Sequence, residues 1–152
     1  MAIYFGSQTG ADDKLDDYEE GTYNPTVQTD NGVNCGLSSQ QGSYVKVGNI
    51  CTATIYVNTN SHSGVDTSGR YRVSLPFTAQ NQSGIGTEGN LFTSIWSTGT
   101  QNIGWMAGEV NNNFSFIYMS YHNQNNNNTN NATPSAFNNS FQMRGTCVFR
   151  TA

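Results

Sequence analysis

Few side chains in this sequence could do acid–base or metal chemistry, and their spacing matches no catalytic motif. His62 and His122 each stand in a polar stretch. The chain has no GxSxG, HExxH or GxxxxGK[ST] motif and no GxGxxG placed between a strand and a helix. A glycosidase needs two carboxylates about 5 to 9.5 Å apart, and the carboxylates beyond residue 20 all stand in turn-like sequence: Asp30, Asp66, Glu88 and Glu109. We therefore predict no catalytic residue, no metal site and no cofactor.

The first twenty residues differ from the rest because six of the ten carboxylates lie within residues 12–20. A block of like charge is typical of a solvated arm, and this one lacks the alternating ligands and glycine of an EF-hand calcium loop. Tyr4, Phe5 and Tyr18 interleave with the acidic residues, so the arm could instead dock on a neighbouring subunit through its rings. We assign residues 1–20 to an acidic N-terminal arm and residues 21–152 to one β-domain.

The composition is that of one domain with a weakly charged surface. Only 11% of the 152 residues are charged, against roughly 25% in average globular proteins. Such a surface suits contact with protein subunits or sugars, and it also suits a β-rich protein with long polar loops. The net charge of −4 argues against nucleic acid as a partner. The lack of an apolar run of about 20 residues argues against a membrane span, and no secretion signal is indicated.

The three cysteines are odd in number and have no CxxC spacing, which argues against a disulfide framework and a zinc site. Cys51 and Cys147 fall on the apolar faces of predicted strands, so we predict buried thiols there.

Runs of alternating apolar and polar residues predict the elements of the domain. These runs are bounded by Gly, Asn and Ser and favour an all-β fold: an antiparallel β-sandwich of jelly-roll type with roughly eight strands and an extended N-terminal arm. Residues 51–57 and 142–150 alternate most clearly, and Gly145 suggests a bulge. Gly42 and Gly48 bound residues 43–47 as predicted turn residues, so this strand and residues 51–57 are predicted to form a hairpin. The predicted strands are 23–27, 43–47, 51–57, 70–75, 91–96, 103–107, 114–121 and 142–150.

Two segments suggest contacts outside the chain. Residues 114–121 are apolar on both faces, and the face turned away from the core predicts a homo-oligomer. Residues 123–131 are all Asn or Gln except Thr129 and are predicted to form a loop. Such amides hydrogen-bond well to neutral sugars or to one another, while compositional drift gives the same tract with no role.

Four blocks in order resemble a known module. They are LDDYEEGTYNPTV at 15–27, GSYVKVGN at 42–49, CTATIYV at 51–57 and YRVSLPFTA at 71–79. The succession resembles a module of tailed-phage virion proteins, especially fibre-like proteins of aquatic phages, and it covers the first half of the chain. Tyr23-Asn24 replace the usual Trp-Thr, and Val73-Ser74 replace a common Gly before LPF. The resemblance implies a bacteriophage structural protein, assembled with other virion proteins, with a homotrimer favoured.

Two virion roles follow from the resemblance. In the first, the chain is a short tail fibre or fibre-tip adhesin that binds a host surface polysaccharide, because sugar sites often join aromatic rings to amides. Its candidate contacts are Trp96, Trp105, Tyr121, Asn123, Asn125 and Asn127. In the second, it is a head decoration, or cement, protein that docks on the capsid through Tyr4, Phe5 and Tyr18. A cellular lectin-like or C1q-like domain is a third class, but it lacks the LDDYEEGT block.

Overall fold

The chain is all β, as predicted. A computed structural model describes residues 3–4, 14–15, 18–84, 86–96, 103–125, 128–137 and 141–152. Within these ranges no helix has the length and apolarity that crossing a bilayer requires. The strands are β1 (Ile3–Tyr4), β2 (Lys14–Leu15), β3 (Tyr18–Tyr23), β4 (Val27–Gln28), β5 (Gly36–Val47), β6 (Ile50–Ser61), β7 (Arg72–Ser74), β8 (Thr87–Trp96), β9 (Ile103–Asn111), β10 (Phe116–Asn123), β11 (Asn128–Asn131) and β12 (Gln142–Arg150).

Ten strands form one antiparallel sheet that curls into a half-barrel. Nine of them follow the order β3-β5-β6-β12-β8-β9-β10-β7-β4, and β11 pairs with β10 beyond β7. Laid flat, this path would be roughly 38 Å wide. Only residues 24–26 separate β3 from β4, and such a link spans at most about 14 Å. The sheet therefore curls until its ends approach each other, and the finer jelly-roll arrangement stays a prediction.

The strand predicted at residues 23–27 is wrong, because the chain leaves one end of the sheet and enters the other there. Tyr23 ends β3 and Val27 begins β4. Pro25, which lacks an amide N–H for the ladder, lies in the link. The sheet also starts earlier than predicted, since Tyr18, Glu19 and Glu20 already pair with β5.

The predicted hairpin of β5 and β6 is confirmed. Val47 pairs with Ile50 across a two-residue turn, and Gly48 has a φ of 57° there, which favours glycine at the first position of a hairpin turn. Gly42, predicted as a turn residue, instead lies inside β5 opposite Tyr23. The Tyr23 ring occupies the place of a Cβ at Gly42, so the glycine is required by packing and not by a turn.

The inner face of the sheet carries the core. The predicted alternation of β6 is confirmed, since Cys51, Ala53, Ile55 and Val57 are buried. β12 buries Met143, Cys147 and Phe149 in the same way, and its register against β8 shifts between Arg144 and Gly145. The extra residue at this shift is Ser94 of β8, opposite Gly145, whereas β12 pairs with β6 without a break. The irregularity therefore lies beside Gly145, in the neighbouring strand and not in β12 as predicted.

An aromatic cluster fills the core beside β10. Phe137 and Phe141, from the irregular segment before β12, are fully buried together with Tyr71. The Phe137 ring meets Tyr71, Tyr121 and Phe141 edge-on at centroid distances of 6.2, 5.7 and 5.7 Å. Edge-on aromatic pairs add to the stabilisation that burial alone gives. The segment after β11 thus has a structural role in packing.

The three thiols are buried and free, as predicted for Cys51 and Cys147. Burial raises the pKa of Cys35 and Cys51 to about 11 and that of Cys147 to about 12. Because the thiolate is the reactive form, we expect all three to react with a disulfide reagent at pH 8 at least ~100-fold more slowly in the native protein than in urea. A native thiol that reacts as fast as in urea would contradict this burial.

Candidate functional site

A depression on the outer face of the sheet follows from three alternate residues of β9. Met106, Gly108 and Val110 point into the core, so Trp105, Ala107 and Glu109 point outward. The small Ala107 between two large neighbours leaves a hollow of about 160 Å³. Its lining includes Trp105, Ala107, Glu109, Asn90, Ser120 and Thr129, with Arg70 at the side. We call this hollow the Trp105 depression.

Trp105 supplies an aromatic wall that is held in place but not covered. Its ring stacks on His122, the residue directly opposite on β10, with centroids 5.4 Å apart and planes 3° from parallel. The residue nevertheless remains 46% exposed. A fixed, exposed indole offers apolar area with little entropy to lose on binding.

An ion pair forms the opposite wall. Arg70 Nη1 donates to Glu109 Oε1 at 2.8 Å, and the arginine side chain is 16% exposed against 42% for the glutamate. The same guanidinium donates to the carbonyls of Met119 and Tyr118 at 2.8 and 3.1 Å and to Ser120 Oγ at 2.6 Å. Arg70 is therefore fixed against β10 while the Glu109 carboxylate faces solvent.

Directly opposed positions on neighbouring strands complete the depression. Asn90 of β8 pairs with Glu109 and Ser120 of β10 pairs with Ala107. The described residues provide no hydrogen-bond partner for the Asn90 carboxamide or for Glu109 Oε2. The depression thus combines one aromatic surface with exposed amide, hydroxyl and carboxylate groups.

The outer row of β10 is already covered in part by the chain itself. The guanidinium of Arg72 lies 5.5 Å from the Phe116 ring centre, and that of Arg70 lies 5.3 Å from the Tyr118 ring centre. Phe114 meets Tyr118 edge-on at 5.7 Å. Cation–π contacts of this kind stabilise an aromatic ring beside a cation of the same chain. This row alone does not require a partner subunit, and the oligomer stays a prediction.

Of the predicted sugar contacts, the structure places Trp105 in the depression and two others in the interior. Tyr121 and Asn123 are each 6% exposed, because alternate residues of β10 point inward. Tyr121 packs edge-on against Phe137, and Asn123 Oδ1 accepts a hydrogen bond from the Asn125 amide at 2.9 Å.

The loop predicted at residues 123–131 is wrong in its outline, since β10 and β11 form a hairpin there. Asn123 pairs with Asn128 and Ser120 with Asn131. Asn125 is exposed in the turn, and Asn127 lies outside the described residues. The amide-rich tract therefore forms an edge of the sheet, with Thr129 brought to the Trp105 depression.

The remaining candidates are divided between the sheet and undescribed positions. Trp96 ends β8, where its backbone pairs with Met143, and its side chain is not described. The backbone of Tyr4 pairs with Lys14 in the two-stranded sheet of β1 and β2, whereas Phe5 lies outside the described residues. Tyr18 is exposed in β3, and its hydroxyl donates to Glu20 Oε2 at 2.6 Å.

His62 lies in the polar loop after β6, as predicted, whereas His122, predicted to begin the Asn-rich loop, lies in a strand. His122 is in β10 and stacks on Trp105. His62 Nε2 lies 2.8 Å from the hydroxyl of the buried Tyr71, and burial lowers the pKa of the imidazole. His62 thus connects the buried hydroxyl of Tyr71 to the surface. His122 supports the Trp105 wall of the depression.

A second feature of the outer face is a set of exposed apolar side chains that extends across the sheet from β3 to β8. Its exposed side chains are Tyr18, Val45, Val47, Ile50, Phe92 and Val148. Tyr18 opposes Val47, and Val47 opposes Ile50, so these three form one row across β3, β5 and β6. Shallow hollows of about 480 and 300 Å³ lie beside Val45 and Phe92. We call this surface the apolar face, and clustered exposed apolar groups often mark protein contacts.

Sequence reasoning missed the polar half of the Trp105 depression. Glu109 was predicted in a turn, but it lies within β9, which continues four residues past the predicted end at Ala107. The outward series Trp105, Ala107 and Glu109 is a period-2 signal that extends the strand to Glu109. No comparable signal in the sequence connects Arg70 or Asn90 to this strand.

Comparison of the chain with protein-family models, curated proteins and solved structures finds no match. The geometry of the depression and of the apolar face is therefore what indicates a function.

Proposed function

We propose that this chain is a non-enzymatic structural protein of a tailed-phage virion that binds a host surface glycan, as a short tail fibre or fibre tip. The observation that carries the proposal is the Trp105 depression, where an exposed indole faces exposed hydrogen-bonding groups across one small residue. The resemblance of residues 15–79 to phage fibre-like modules supports the virion setting. The proposal needs no cofactor and no catalytic group.

The depression suits a sugar for a physical reason. A pyranose presents apolar C–H groups on one face and hydroxyls at its rim, so it packs on an aromatic ring while polar groups fix its orientation. Trp105 offers the ring, and Glu109 Oε2 and the Asn90 carboxamide offer an acceptor and an amide at the opposite wall. All three stand on strands of one sheet, which keeps their spacing fixed.

A homotrimer of jelly-roll-like subunits would raise the strength of binding. One shallow site of about 160 Å³ gives modest affinity on its own, whereas linked copies bind a repeating polysaccharide with much higher avidity. The apolar face offers a surface that subunits could bury against one another.

Head decoration is the second candidate, and the apolar face favours it. This face includes Tyr18 at the first residue of β3, which lies within the acidic segment of residues 12–20. A capsid subunit that covered the apolar face would also receive the arm with Tyr4 and Phe5.

A glycan array with the intact oligomer tests the adhesin proposal. We expect the wild type to bind a restricted set of glycans. The Trp105→Ala variant should lose binding to those same glycans. Binding to none of the glycans on the array would contradict the proposal.

Immunogold electron microscopy separates the two candidates, because antibody against an adhesin labels the tail and antibody against a decoration protein labels the head. If the chain is a decoration protein, deleting residues 1–17, which leaves β3 intact, should abolish labelling of the head.

A further inference from the structure

The hydrogen-bonding state of Arg70 restricts which sugars the depression can take. A guanidinium has five N–H donors, and four hydrogen bonds of Arg70 go to Glu109, Met119, Tyr118 and Ser120. The bidentate fork by which arginine binds a carboxylate needs two parallel donors. Arg70 has no such pair left, so it cannot act as the anchor for an acidic sugar.

The charge that remains accessible at the depression is negative. Glu109 is the more exposed member of the ion pair and lines the hollow, and among the described residues no donor binds its Oε2. Asn90, directly opposite, is neutral and exposed. A sugar hydroxyl can donate to the carboxylate, whereas a sugar carboxylate placed there would meet like charge at close range.

The volume limits the ligand further. About 160 Å³ is well below the roughly 300 to 1,000 Å³ typical of pockets for drug-sized ligands. The open, shallow hollow therefore accommodates one ring, with the rest of a chain lying on the sheet surface.

We propose, on the basis of the proposed glycan-binding function, that the Trp105 depression accepts a single neutral hexose ring of a glycan and discriminates against acidic sugars. Trp105 packs on the C–H face of the ring. Glu109 accepts a hydrogen bond from one or two neighbouring hydroxyls of the sugar. Arg70 positions Glu109 without contacting the sugar.

Matched neutral and acidic ligands test this inference. Titration of the intact protein would use glucose- and galactose-terminated oligosaccharides and their counterparts ending in glucuronic and galacturonic acid. We expect at least about 10-fold tighter binding of one neutral ligand than of its acidic counterpart. In Glu109→Gln the ratio should fall to one or below, because the amide keeps the shape, removes the negative charge and leaves the Arg70 guanidinium without its counter-charge. Glu20→Gln, on the distant strand β3, should leave the ratio unchanged.

The outcomes separate this inference from the proposed function. Preference of the wild type for the acidic ligand, or an unchanged ratio in folded Glu109→Gln, would overturn the inference while glycan binding stands. Failure of the wild type to bind any neutral or acidic glycan would overturn the function and the inference together. Thermal unfolding of each variant confirms that it is folded before binding is compared.

Discussion

Replacing Trp105 with alanine is expected to weaken glycan binding by about 30-fold or more, because buried aromatic anchors typically contribute about 2 kcal/mol or more to an interface. The loss should leave the fold intact, since Trp105 is nearly half exposed and packs mainly on His122. Isothermal titration with the strongest glycan from an array measures it.

Tyr18→Ala is the matched control for that experiment. Tyr18 is also an exposed aromatic residue, 51% accessible, but it lies at the far edge of the sheet in β3. Its removal should change the affinity for a monovalent glycan less than about 2-fold, because a ligand that occupies one site does not respond to contacts between subunits at the apolar face. Equal losses in the two variants would mean that the indole has no specific role, and the Trp105 depression would not be the binding site.

Phe137→Ala is expected to have the largest effect on stability. Removing a fully buried phenylalanine costs about 3 to 5 kcal/mol, and Phe137 joins the rings of Tyr71, Tyr121 and Phe141. Such a loss is a large part of the roughly 5 to 15 kcal/mol that stabilises a domain. Urea unfolding followed by circular dichroism measures the change in the free energy of unfolding.

Phe92→Ala provides the comparison for Phe137→Ala. Phe92 is 75% exposed on the outer face, so its removal should change the free energy of unfolding of the isolated chain by less than about 0.5 kcal/mol. A cost below about 1 kcal/mol for Phe137→Ala would show that the segment before β12 does not pack into the core as described.

The strands that the sequence predicts well are those with one buried face and one solvent-exposed face. β6 and β12 alternate strictly over their central residues, and period-2 patterning is a local property of the chain. The curl of the sheet is not local, because it depends on β3 and β4 lying at opposite ends of the strand order. The acidic residues Glu19 and Glu20 also conceal a strand, since an edge strand tolerates charges that a central one would exclude.

The candidate site could be predicted only in part, for the same reason. Trp105 is evident as an aromatic residue in a β-pattern, but Arg70 and Asn90 reach it through pairings between distant segments. Tyr121 and Asn123 show the effect of strand parity, because a shift of one residue moves a side chain from the outer face to the core. Composition suggested both as contacts, and the register of β10 turns both inward.

The most direct test of a glycan site at Trp105 is a titration followed through the two tryptophan indole N–H signals in a ¹⁵N correlation spectrum. Trp105→Phe assigns the signals, because only the Trp96 signal remains in that variant. Addition of the strongest neutral glycan from the array is expected to shift the Trp105 signal in a saturable way. A Trp105 signal that does not move while the glycan binds would contradict the account.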